Sequence, residues 1–165
     1  MASRRKAREL ALQMLFQWEV GAHPPAHVLA TFLSGRDLDP NIESFTRELF
    51  EGAAAEAESL DKQIQENSPN WKMDRMAAVD RNILRMALYE LEHFPETPPA
   101  VVINEALEIA RRFSSEDSVE FVNGVLDAIR KKMPLNGSPP ETRPAGAKTS
   151  PRKRSASRSK GGYEK

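Results

Sequence analysis

The chain has 165 residues and equal numbers of Lys/Arg and Asp/Glu, 24 of each, which leaves room for one domain with a modest core. The neutral total hides a division, because Pro134 to Lys165 holds 8 basic and 2 acidic residues against 16 and 22 before it. The absence of cysteine excludes disulfides, thiolate metal ligands and cysteine nucleophiles, and suits a reducing cytoplasm.

No apolar run approaches the ~20 residues that cross a bilayer. The stretch after the basic N-terminus "MASRRKAREL" is interrupted by Gln and Glu, unlike the core of a signal peptide. A cytoplasmic protein with no membrane partner is expected.

Helical periodicity runs through most of the chain. Ser3 is placed to cap a first helix to about Val20, with Ala7, Leu10, Ala11, Met14 and Trp18 on one face. After "GAHPP", Pro25 suits the first turn of a short helix through Val28, Leu29, Phe32 and Leu33, closed by Ser34-Gly35. Asn41 opens a long helix carrying Ile42, Phe45, Leu49, Ala53, Leu60 and Ile64, ending at "ENSPN". Another runs from about Met73 to Glu92 through Met76, Val79, Ile83, Ala87 and Leu91.

Pro98-Pro99 starts a helix with Val102, Ile103, Ala106, Leu107, Ala110 and Phe113. After Ser114–Asp117 a last helix places Phe121, Val125 and Ile129 four apart, beside Val122, Leu126 and Met133. Six or seven helices with short connections predict a compact all-α bundle. From Pro134 the chain is rich in Pro, Gly, Ser and basic residues and nearly free of aliphatics, so residues 1–133 are expected to form the helical domain and 134–165 a disordered tail. The run "SPRKRSASRS" suits non-specific nucleic-acid binding or a solubilising role equally.

Catalysis has little support. His23 and His27 are four apart, but Pro24-Pro25 separates them, no carboxylate completes a metal set and His93 is remote. Carboxylate pairs such as Glu116-Asp117 and Glu56/Glu58 suit solvated faces, and glycine is too sparse for a phosphate loop. No catalytic residue, metal site or cofactor is expected, and binding is the class that remains.

Arg4, Arg5, Lys6 and Arg8 crowd a helix start, where cations oppose the macrodipole. They suit either phosphate binding driven by counterion release or a solvated basic terminus. Phe121, in the first turn of the last helix beside Asp117, suits either the core with Asp117 as a cap, or an RNA surface where bases stack on Phe and their edges meet carboxylates. Asp80, Arg81 and Arg85 suit intrahelical ion pairs or a docking face.

The segments "RRKARELALQMLFQWE", "DRNILRMALYEL", "INEALEIARRF" and "EDSVEFVNGVLDAI", in that order, closely resemble the bacterial transcription antitermination factor family NusB, over roughly residues 3–132. The resemblance implies two small helical subdomains and no enzymatic activity. It implies binding of the boxA element of nascent ribosomal RNA together with NusE, a component of the small ribosomal subunit. It further implies joining the RNA polymerase antitermination complex to suppress premature termination, and it leaves a homodimer of the free protein open.

By position, the resemblance puts Arg4, Arg5, Lys6, Arg8, Asp117 and Phe121 at the RNA, with Phe16 and the Asp80/Arg81/Arg85 helix near the RNA and NusE surfaces. Phe16 stands where many relatives have Tyr, and Glu120 where a basic residue is frequent. Gly124, mid-helix in "FVNGV", is read as admitting a neighbouring helix, with Asn123 bonding across the subdomain junction. Two other readings stay open: an RNA-binding domain like that of RNA cytosine methyltransferases, though no cofactor domain or cysteine is present, and a protein adaptor that leaves RNA to its partner.

Overall fold

The structure, a computed structural model, describes residues 2–134; apart from Pro134, the tail expected to be disordered lies outside the described residues. The described residues form seven α-helices: α1 Ala2–Glu19, α2 Pro25–Leu33, α3 Pro40–Ala55, α4 Ala57–Glu66, α5 Ala78–His93, α6 Pro99–Phe113 and α7 Glu116–Lys132, with a short 3₁₀ turn Met73–Arg75 before α5. No strand occurs among the described residues. The helices up to Lys131 form one compact unit.

Prolines set three of the helix starts. Pro25, Pro40 and Pro99 each occupy the first helical position, where a missing N–H removes nothing from the ladder. α1 already begins at Ala2, so Ser3 lies inside the first turn rather than capping it. α3 is capped one turn-residue earlier than expected: the Asp39 side chain accepts a hydrogen bond from the Asn41 N–H at 2.8 Å.

The long helix expected from Asn41 to "ENSPN" is two helices, because Glu56 leaves helical geometry at φ −101° and ψ 15°. The sequence there, "GAAAEAE", contains only a glycine against helix and keeps its apolar stripe, so no local stop signal exists. The break lets both α3 and α4 lie against α5.

α1 and α5 are central. On α1 the expected Ala7, Leu10, Ala11 and Met14 are buried, and so are Leu12 and Leu15 on a second side, because α3 and α5 both pack on this helix. α5 is enclosed almost all round by α1, α3, α4 and α6 and buries Ile83, Leu84, Met86, Ala87 and Leu88. α1, α2 and α3 pack on one another and α4 and α6 pack on α5, but α1 and α3 also pack on α5, which joins all of these helices. α7 buries Val119, Val122, Val125, Leu126 and Ile129.

Gly124 does not admit a neighbouring helix. A Cβ built there meets nothing within 4 Å, and the residue is exposed on α7, as is Asn123, so the close-approach reading of this pair is wrong. The glycine that a close approach requires is Gly52 on α3, where a Cβ would collide with the Tyr89 ring of α5.

Candidate nucleic-acid interface

A groove of about 600 Å³ opens where the turn before α5 meets the start of α7, and Trp71, Arg75, Asp80, Asp117, Glu120 and Phe121 contribute to its walls. Asp117 and Phe121 lie four residues apart in α7 and so project from one helix face. What aims that face is Asp80. Its two carboxylate oxygens accept hydrogen bonds from Ser114 Oγ at 2.9 Å and Ser118 Oγ at 2.8 Å, tying the end of α6 and the first turn of α7 to α5.

Asp80 is thus buried, and both its oxygens are taken up inside the fold. The same holds for its neighbours. Arg81 donates to Glu19 from Nε and Nη2 at 2.8 and 3.0 Å, and from Nη1 to the Met73 and Met76 carbonyls at 2.9 and 2.7 Å. It therefore holds the turn that forms one wall of the groove. Arg85 is buried, bidentate to Asp61 at 2.7 and 2.8 Å, and bonded to Asn82.

Burial would raise the Glu19 carboxyl, but hydrogen bonds from Arg81 and Asn82 and the Arg85 charge hold it below its ordinary value. Burial likewise opposes the charge on Arg85, and Asp61 and Glu19 more than offset it. These arginines lock α1, α4 and α5 together.

The basic N-terminus divides in the same way. Arg8 is 3% exposed and bidentate to the buried Glu90 at 2.9 and 2.6 Å, so it is no phosphate ligand. The reason is helix phase: Arg8 shares the second buried stripe of α1 with Leu12 and Leu15, four and seven residues on. Arg5, half exposed, pairs with Glu105 through two bonds of 2.9 Å. That hydrogen-bonded pairing raises the guanidinium pKa and lowers that of the Glu105 carboxyl. Arg4 lies 4.0 Å over the Phe45 ring. Lys6 is exposed and makes no ion pair among the described residues.

Phe16 is brought to a different place, a shallow apolar groove of about 280 Å³ shared with Phe32, Val79 and Phe113. The expected RNA residues are therefore not one surface: Asp117 and Phe121 meet in one groove, Phe16 lies in another, and Arg8 is internal.

Sequence reasoning missed Trp71. The residue is 53% exposed, and its ring stands 6.0 Å from the Phe121 ring at 66°. The available signal was a tryptophan in the polar turn "SPNWKMD", where no apolar stripe would bury it. The exposed His23 and His27 rings lie 5.0 Å apart. A set of donors formed by Glu56, Glu92 and His93 lies within 4.8 Å, with His93 Nε2 already 3.1 Å from Glu56.

The NusB family model matches residues 5–131. The chain belongs to the NusB family. It is 54% identical over 132 residues to the transcription antitermination protein NusB of Koribacter versatilis, covering 79% of this chain and 90% of that one. Among solved structures, T. maritima NusB is similar at a TM-score of 0.73 and 35% identity, covering 78% of this chain and 91% of that one. A crystal structure of antitermination factors NusB and NusE in complex with dsRNA contains a chain similar at a TM-score of 0.72 and 26% identity, covering 81% of this chain and 99% of that one. The NusB resemblance of the four sequence segments thus extends to the whole helical unit and to its fold.

Proposed function

We propose that this NusB-family chain is a non-catalytic RNA-binding transcription antitermination factor that takes boxA-type RNA of ribosomal transcripts together with NusE. In this reading it works within the RNA polymerase antitermination complex in the cytoplasm. The observation that carries the RNA contact is the exposed groove in which Phe121 and Asp117 stand side by side on α7, aimed by the Asp80 clasp. An aromatic face with a neighbouring acceptor is what an unstacked base needs.

Phosphate attraction falls to Arg4, Arg5 and Lys6, the N-terminal cations that are not buried. The apolar Phe16 groove, which includes the 38%-exposed Phe113, suits a protein partner such as NusE. Asp80, Arg81 and Arg85 contribute by holding both grooves in shape. The helical domain over residues 1–133 carries the specific activity, and the basic tail adds non-specific attraction. Among the described residues no helix is long and apolar enough to cross a membrane.

Fluorescence anisotropy of a labelled boxA-like RNA, with and without NusE and beside a scrambled RNA, tests this. Specific binding that NusE strengthens and that survives truncation after Met133 is expected; sequence-blind binding lost with the tail would refute it. The pairing of Arg5 with Glu105 and of Arg8 with Glu90 favours one second reading, an adaptor that leaves RNA to its partner. That reading requires no RNA binding by the chain alone.

A further inference from the structure

We propose that Glu56, Glu92 and His93 form a site for one divalent transition-metal ion of the Zn²⁺ class, which staples the break between α3 and α4 to the end of α5. The inference goes beyond the RNA-binding reading and does not depend on it.

Among the described residues these are the one set of three metal-ligating side chains whose donor atoms all lie within 4.8 Å of one another. In sequence His93 is remote from His23 and His27; its partners are the residue beside it and one 37 positions earlier. The fold brings the donors together by separate devices. Glu56 is the residue that leaves helical geometry between α3 and α4, although nothing in "GAAAEAE" stops a helix. His93 is the last residue of α5, and its ring stacks on the Tyr89 ring at 4.2 Å and 26°. Tyr89 in turn lies against Gly52 of α3, where a Cβ would leave it no room. The glycine thus lets Tyr89 seat on α3, and Tyr89 fixes the plane of the imidazole that faces Glu56. A ligand whose ring is already oriented loses little freedom when it takes a metal.

Spacing and charge agree with this. His93 Nε2 lies 3.1 Å from Glu56 Oε1. Two ligands each about 2.0–2.1 Å from a tetrahedral ion stand about 3.3 Å apart, so the pair already has the separation that an ion imposes. Glu92 is exposed, and rotation about its side-chain bonds closes the rest of the distance. Two helices end at this corner, α3 at Ala55 and α5 at His93, and the negative ends of both macrodipoles favour a cation. One imidazole and two carboxylates suit Zn²⁺, Co²⁺ or Ni²⁺, whereas Mg²⁺ and Ca²⁺ take oxygen ligands.

The test uses the untagged full chain, stripped with EDTA and titrated with Co²⁺, whose visible absorption reports its ligation, with Zn²⁺ and Mg²⁺ as competitors. The chain has no cysteine and only two other histidines, so few sites compete. One Co²⁺ per chain is expected, displaced by Zn²⁺ and not by an equal concentration of Mg²⁺. Zn²⁺ at about a hundred times its Kd should raise Tm by about 5 °C. His93→Ala and Glu92→Gln should each weaken binding at least about tenfold. Glu56→Gln should do the same while keeping an acceptor for His93, and its Tm in EDTA should stay near that of the parent. The double variant His23→Ala/His27→Ala should bind as the parent does. Affinity that survives both His93→Ala and Glu56→Gln would overturn the inference, as would affinity lost in the double variant. Equal displacement by Mg²⁺ would mean an acidic patch only, and binding no tighter than about millimolar an adventitious ion only; either overturns it too. All readouts are taken without RNA, so their failure and a failure to bind boxA-like RNA are seen separately.

Discussion

Lys6 and Arg8 stand two positions apart in one basic cluster and have opposite environments. Arg8 neutralises Glu90, whose side chain is 1% exposed, so Arg8→Ala would leave a buried carboxylate unpaired. A loss of about 3–5 kcal/mol in urea denaturation is expected. Lys6→Ala should change stability by less than about 0.5 kcal/mol, yet flatten the slope of log affinity against log salt for single-stranded RNA by about 0.7. The cluster was legible in the sequence as a run of cations; which member is solvated was not. Arg8 is set apart only by its phase relative to Leu12 and Leu15, and by a partner 82 residues away. Trp71 illustrates the converse, because an aromatic in a polar turn is visible in the chain but its approach to Phe121 is made by the packing of α7.

Among the helices, the two interior glycines exchange the roles that their motifs suggest. Gly124 faces open space on α7 with no unusual backbone angle, so Gly124→Ala should raise stability by about 1 kcal/mol through helix propensity. Gly52 faces the Tyr89 ring, and Gly52→Ala should lower stability by at least about 1–3 kcal/mol through overpacking. Thermal denaturation of the two variants beside the parent protein checks both, and opposite shifts in Tm are expected. Nothing local distinguishes these glycines, since each interrupts an apolar stripe at helical spacing. The same blindness explains the single long helix read where α3 and α4 occur: the stripe from Phe45 to Ile64 is continuous, and the break at Glu56 comes from how the two halves seat on α5.

The end of α1 is held to α5 by charge as well as by apolar packing, with Glu19 of α1 receiving Arg81, Asn82 and Arg85 of α5. Because the folded Glu19 carboxyl lies below its ordinary value, its contribution is complete above the unfolded carboxylate pKa of about 4.3 and is lost as pH falls through the lower folded value. Glu19→Gln should therefore be about 3 kcal/mol less stable than the parent at pH 7. Chemical denaturation across a pH series should show that gap closing in acid below about pH 4. A gap that stays constant would mean that the loss is one of shape and not of charge. The all-helical type, the proline-set helix starts at Pro25 and Pro99 and the likeness to NusB could be read along the chain, since proline placement and the spacing of apolar residues act within a few turns. Which charges are buried, where α3 gives way to α4 and which aromatics meet depended on tertiary structure, because an ion pair such as Arg5–Glu105 joins residues 100 positions apart and no local pattern records its partner.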